Sequence, residues 1–242
     1  MSWTSLKFGA GALAVAAVVA PAAAIAGVVV SSSGPSAAQY PVGRQIGNSD
    51  RIVLREGDTL TVLQNGGTRV LRGAGTFVLA QTGAASSNAA FASLTTQRAA
   101  RRARTGAVRT GATGPVSNPS LWYVDVTKAG TVCLPGPANV RLWRADTQAD
   151  STYAIEPEGA SEAPIAVTFT AGEMLAAWDV AHPPAPNQTY RIGHGTGSNA
   201  VDVRFVFLDA VPATAEDLAS ALIASGCTLQ VEQMARAMEV AE

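Results

Sequence analysis

Polar and apolar residues alternate most regularly between Arg55 and Leu79, REGDTLTVLQNGGTRVLRGAGTFVL. Thr59 to Leu63 and Thr68 to Arg72 flank Asn65-Gly66-Gly67, the pattern of a β-hairpin. Thr76 to Leu79 follows Gly73-Ala74-Gly75 and completes a predicted three-stranded meander. Arg51 to Leu54 is predicted as a strand ahead of it, with Glu56-Gly57-Asp58 as the turn between. Two registers are open. A tip at Gly66-Gly67 sets Leu63 opposite Val70 and Val62 opposite Leu71; a tip at Asn65-Gly66 sets Val62 opposite Arg69. Apolar pairing across the ladder favours the first.

Beyond a small, polar, glycine- and proline-bearing boundary at Thr110 to Pro119, short β runs recur: Leu121–Val126, Thr131–Leu134, Val140–Arg144, Thr152–Ile155, Ile165–Phe169, Met174–Trp178, Thr189–Ile192 and Val201–Leu208. Turn residues such as Pro135-Gly136-Pro137 and His182-Pro183-Pro184-Ala185-Pro186 separate them, which predicts a β-sandwich. The period then changes. Thr214 is placed to cap a helix bearing Leu218, Leu222 and Ile223 on one face, with Gly226 to stop it. A second helix from about Leu229 to Val240 carries Val231, Met234 and Met238, read as core packing against the sandwich or as a methionine-lined partner groove. Thr82 to Gly106 is rich in alanine and ends in QRAARRAR, which favours a helix over its second half.

The N-terminal stretch has a different character. Lys7 is followed by an apolar run from Phe8 to Ala20, then Pro21 and Ala22-Ala23-Ala24-Ile25-Ala26, the layout of a signal peptide cleaved before Gly27. The alternative is an uncleaved anchor over residues 8–30, which are uncharged and long enough to span a bilayer. Both place the body outside the cytoplasm. Residues 27–39, including SSSGPSAA, are expected to be a linker.

Composition sharpens this picture. The chain of 242 residues is 48% hydrophobic and 14% charged, so it builds real cores with a lightly charged surface. A net charge of -1 gives no overall attraction to nucleic acid or acidic surfaces. The local exception is Arg98, Arg101, Arg102, Arg104 and Arg109, read either as a solvated helix face or as a contact for an anionic envelope component or acidic protein surface. No aromatic residue interleaves with these arginines as a single-stranded nucleic acid platform requires, and export removes nucleic acid as a routine partner. Cys133 and Cys227 are the only cysteines, and in an oxidising compartment they predict one disulfide.

Candidate chemistry is sparse. His182 and His194 lie at no metal-binding spacing, and Gly193-His194-Gly195-Thr196-Gly197 joins two predicted strands instead of opening a helix, so it reads as a loop and not a phosphate cradle. Glu156, Glu158 and Glu162 match no calcium loop. There is no Gly-x-Ser-x-Gly elbow. No catalytic, metal or cofactor site is expected. Trp122, Trp143 and Trp178 read as core residues, against a carbohydrate-stacking role.

Two resemblances add to this. Cys133 followed by Trp143, with Tyr190 later, resembles the strand B and strand C pair of immunoglobulin-like domains, although Cys227 lies past the last predicted strand. Asp58 to Leu63, Asn65-Gly66-Gly67-Thr68 and Val70 to Phe77 resemble the periplasmic domain of FecR-type proteins, an exported β-rich family whose regulatory members relay receptor state to a sigma factor. Seven residues ahead of the apolar run leave no room for a sigma-factor-binding part, so the resemblance implies a scaffold or sensor role. The expected architecture is mainly β: a signal peptide or anchor over 1–26, a FecR-like domain over 40–111 with an arginine-rich helical insert over 85–105, an immunoglobulin-like sandwich over 120–210, and a helical pair over 213–242. The expected function is non-enzymatic binding in the cell envelope; the alternatives are a polysaccharide-binding module and an envelope hydrolase.

Overall fold

The computed structural model describes residues 25–64, 67–79, 85–96, 117–159, 163–195 and 199–239. The first strand, β1 (Ile25–Ser33), is an inner strand of a four-stranded antiparallel sheet. It lies between β2 (Gln45–Gly47) and β4 (Thr59–Gln64), and β5 (Gly67–Arg72) forms the far edge. Val28, Val29 and Val30 are all buried, with Val29 in one core and its two neighbours in another. A strand covered on both faces needs a continuous apolar run. The expected linker over 27–39 is therefore corrected. Ser31–Ser33 pair with Thr59–Thr61, and Ala37–Gln39 form a short 3-10 turn. Of the alternative anchor over 8–30, residues 25–30 are strand, with Val28–Val30 in protein cores, and residues 8–24 lie outside those described. Among the described residues no helix is long and apolar enough to cross a membrane.

Two glycines make this sheet possible. A Cβ on Gly27 would lie 2.7 Å from the Leu63 carbonyl oxygen. One on Gly34, at φ +100°, would lie 2.5 Å from Asp58 Oδ1. Asp58 is buried, and its carboxylate accepts from the Ser36 amide at 2.8 Å and the Arg55 amide at 2.5 Å. This closes the turn ahead of β4 against the segment that follows β1.

The meander differs from expectation in register and partner. Val62 pairs with Arg69 and Gln64 with Gly67, leaving two residues, 65 and 66, between the strands. The favoured register, Leu63 with Val70, is overturned. Two-residue Asn-Gly connections match strand twist, and that outweighs one extra apolar pair. β6 (Gly75–Val78) does not extend this hairpin; it pairs antiparallel with β3 (Arg51–Leu54) as a separate ribbon. The ribbon covers one face of the sheet through Ile52, Leu54 and Phe77, packed with Val29, Leu60, Val62 and Leu71.

All eight downstream runs form strands. β11 (Ile165–Phe169), β10 (Ser151–Pro157), β13 (Thr189–His194), β14 (Val201–Phe207) and β8 (Gly130–Leu134) make a five-stranded sheet in that order. β12 (Leu175–Ala177), β9 (Arg141–Trp143) and β7 (Tyr123–Asp125) make a three-stranded one. β14–β8 and β7–β9 are parallel pairs. Trp178, Tyr190 and Phe205 meet edge to face with centroids 5.3 to 5.5 Å apart, joining the two sheets.

The helices close the structure, giving a mainly β fold with a C-terminal helical pair. α1 (Ala85–Thr95) lies in the first half of the alanine-rich segment; the helix expected over its second half falls on residues outside those described. Its last carbonyls are taken up across the chain: Leu94 O accepts from the Leu121 amide at 3.1 Å, and Thr95 O from Trp122 Nε1 at 2.7 Å. In α2 (Ala215–Ala224) the cap is as predicted, Thr214 Oγ1 accepting from the Asp217 amide at 3.1 Å. α3 (Thr228–Ala237) follows Gly226. Leu218, Leu222, Val231, Met234 and Met238 are buried. They pack in one core with Val28, Val30 and Leu63 of the first sheet and with Trp122, Leu134 and Phe205. The helical pair thus covers the first sheet as well as the sandwich strands.

Candidate functional site

The five arginines at 98, 101, 102, 104 and 109, expected to offer an anionic-partner contact, lie outside the described residues. Glu162 does too, while Glu156 and Glu158 are exposed. Among the described residues no group of three or more His, Cys, Asp or Glu is placed to hold a metal.

The two cysteines are bonded, with Cα atoms 5.9 Å apart and both residues fully buried. Cys133 sits on β8 and Cys227 immediately before α3, so the bond joins the sheet edge to the helical pair. The immunoglobulin-like comparison fails at this bond, because one cysteine lies on no strand. Neither sulfur is available as a nucleophile.

The histidines stay apart. His182 Nδ1 lies 2.7 Å from Asp179 Oδ2, and the other carboxylate oxygen accepts from the Ala181 amide at 2.9 Å. The hydrogen bond to His182, then that from Ala181, hold the Asp179 carboxyl below its ordinary value. The pair is well exposed, at 66% and 41% for the two side chains, and Trp178 Nε1 donates to the His182 carbonyl at 2.7 Å. These bonds organise a surface turn. His194, the last residue of β13, is exposed, its ring 5.1 Å from that of Tyr153. Among the described residues no hydroxyl hydrogen-bonds either histidine ring. Trp122, Trp143 and Trp178 are buried, which leaves no face of theirs for a sugar to stack on.

A concavity among the described residues lies elsewhere. It is an open groove of about 430 Å³ between α3 and the face of the first sheet. Val30 and Val70 line it on the sheet side, Val231 and Ala235 on the helix side. The volume falls in the range of small-molecule sites. Thr68 lines it as well, only 4% exposed, and its Oγ1 has no hydrogen-bond partner. Its position is fixed by its own amide, which donates to the Met238 carbonyl at 2.8 Å as the chain leaving α3 meets the edge of β5. Sequence reasoning missed this groove, whose walls come from opposite ends of the described chain. The one available signal was an alternation, Val70 with Thr68 and Thr61, that leaves hydroxyls on a face a helix covers.

No known protein family, curated protein or solved structure matches this chain, so the assignment of a role rests on its own residues and geometry.

Proposed function

We propose that this chain is an exported, non-enzymatic protein of the bacterial cell envelope, with a binding, scaffold or sensor-like role toward an envelope protein or anionic envelope component. The observation that carries it is the buried Cys133–Cys227 bond, which ties two distant parts of the fold together and belongs to an oxidising compartment. The apolar run ahead of β1 supports the same compartment, and cleavage before Gly27 would release a chain that starts within its first strand. In this reading β4, β5 and β6, with the glycines between them, are a FecR-like unit. The arginines between 98 and 109 are the partner surface. Affinity capture from envelope extracts with the whole exported chain tests it, using a triple Arg98→Glu, Arg101→Glu, Arg102→Glu chain as control. A partner retained by the parent and lost by the control is the expected result; accumulation of the protein in the cytoplasm with free thiols overturns the reading.

A further inference from the structure

β3 and β6 form a two-stranded ribbon, and its two edges differ. On the β3 edge the Tyr40 hydroxyl accepts from the Val53 amide at 2.8 Å and donates to the Val53 carbonyl at 3.4 Å. The backbone of Val53 therefore points out of the ladder. Val53 stands opposite Thr76, and Arg51 opposite Val78. In an antiparallel pair, facing residues alternate between exchanging both hydrogen bonds and turning both backbone groups away from each other. Thr76 and Val78 consequently turn theirs to the outer edge of β6. The Val78 carbonyl agrees, since it accepts there from Arg69 Nη1 of β5 at 3.4 Å. Among the described residues nothing bonds the Thr76 amide and carbonyl or the Val78 amide at that edge.

An open edge is a template for another strand, and proteins usually blunt it. This chain does so with Tyr40 at β3 and with the Met238 carbonyl at β5. β6 is left open, and the solvent face beside it is apolar: Val53 and Val78, 53% and 48% exposed, share that face with Thr76. Arg69 stands at the same edge, and neither it nor Arg51 makes an ion pair among the described residues. A second copy pairing β6 with β6 would bring another Arg69 there, like charge toward like. A strand carrying a carboxylate would meet the guanidinium instead. We propose that β6 is a docking edge for an extended segment of an acidic partner protein. The segment adds a strand to the ribbon, bonds the backbone of Thr76 and Val78, sets an apolar side chain beside Val78 and pairs a carboxylate with Arg69. The proposal goes beyond the reading above and needs no part of it, because its test uses purified protein.

The probes are end-blocked peptides: Glu-Val-Thr-Val-Thr-Glu, its counterpart Lys-Val-Thr-Val-Thr-Lys, and Glu-Val-Pro-Val-Pro-Glu, in which proline removes backbone donors. They are titrated into the disulfide-bonded protein and followed by amide NMR shifts. The acidic peptide should bind saturably and perturb Thr76 and Val78. At low ionic strength it should bind about threefold more tightly than the lysine peptide, a gap that closes with added salt. The proline peptide should not bind. Thr76→Pro should abolish binding of both charged peptides while keeping the thermal midpoint close to the parent's, because the lost amide points away from β3. Arg69→Glu should reverse the preference in favour of the lysine peptide. No saturable binding, equal affinity for the two charged peptides, or shifts confined to other strands overturns the proposal. So does a concentration-dependent dimer in sedimentation that perturbs the same amides, which would make a second copy the occupant. If Thr76→Pro fails to fold, the reversal in Arg69→Glu decides it.

Discussion

Gln230 hydrogen-bonds both backbone groups of Cys133: its Oε1 accepts from the Cys133 amide at 2.7 Å, and its Nε2 donates to the Cys133 carbonyl at 2.7 Å. The same Nε2 donates to the Leu121 carbonyl at 2.7 Å. β8 is the edge of the five-stranded sheet, and its outer backbone groups have no neighbouring strand. A primary amide carries one acceptor and two donors, so a single buried glutamine, 5% exposed, substitutes for that strand.

Gln230→Leu should leave the Cys133 amide and two carbonyls buried without partners. At about 1–3 kcal/mol for an orphaned buried group, the loss should exceed about 2 kcal/mol in urea unfolding. Gln230→Glu should fall in the same direction, because a carboxylate has no donor for the two carbonyls. Parent-like midpoints for both would refute this role.

The disulfide should contribute on the order of 4 kcal/mol by restricting the unfolded chain across the 94-residue separation. The double change Cys133→Ala, Cys227→Ala should lower the unfolding midpoint accordingly. Reduction of the parent should shift its gel mobility under denaturing conditions. Two titratable thiols in the unreduced protein would contradict the bond.

Asp58 predicts a pH dependence. Burial works against its charge, but Ser36, the Arg55 amide and the Arg55 charge together hold its carboxyl below the ordinary value of 3.8. A folded-state value below the unfolded one means the group stabilises above the unfolded value, and the contribution disappears as pH falls through the folded value. Asp58→Asn should therefore be less stable than the parent at neutral pH, with the two stability curves converging below about pH 4. Parallel curves across that window would sink the assignment. Gly34→Ala should damage the same closure at any pH, since its Cβ would collide with the carboxylate.

The arginine segment makes a separate prediction. Exchanging Arg98, Arg101 and Arg102 for glutamate should weaken binding to anionic vesicles or to a captured envelope partner, most strongly at low ionic strength. Equal binding at all salt concentrations would return those arginines to a solvated surface.

Strand positions were legible wherever one face is covered and the other wet. β3 matches its predicted limits, and the eight runs after Ser120 all recur as strands. The α2 cap was legible because Thr214 and Asp217 are three residues apart and the capping bond is local. β1 was not, because a strand buried on both faces reads like the end of the apolar run that precedes it. The partner of β6 was not, since pairing with β3 is a tertiary choice that alternation does not encode. Gln230 and Thr68 were illegible for a related reason: each is an ordinary polar residue whose importance comes from a backbone edge or a helix brought to it from far along the chain.

β1 obtains its cover on one face from Leu218, Leu222, Val231 and Met234, the last part of the described chain to be synthesised. If the chain is exported N-terminus first, as proposed, Val28 and Val30 would cross into the new compartment long before those residues arrive. The β1–β4–β5 layer would wait with a bare apolar face, open to holdases or to self-association. Its completion would be gated by emergence of α2 and α3, and Cys133 would be free to react with other thiols until Cys227 arrives between them.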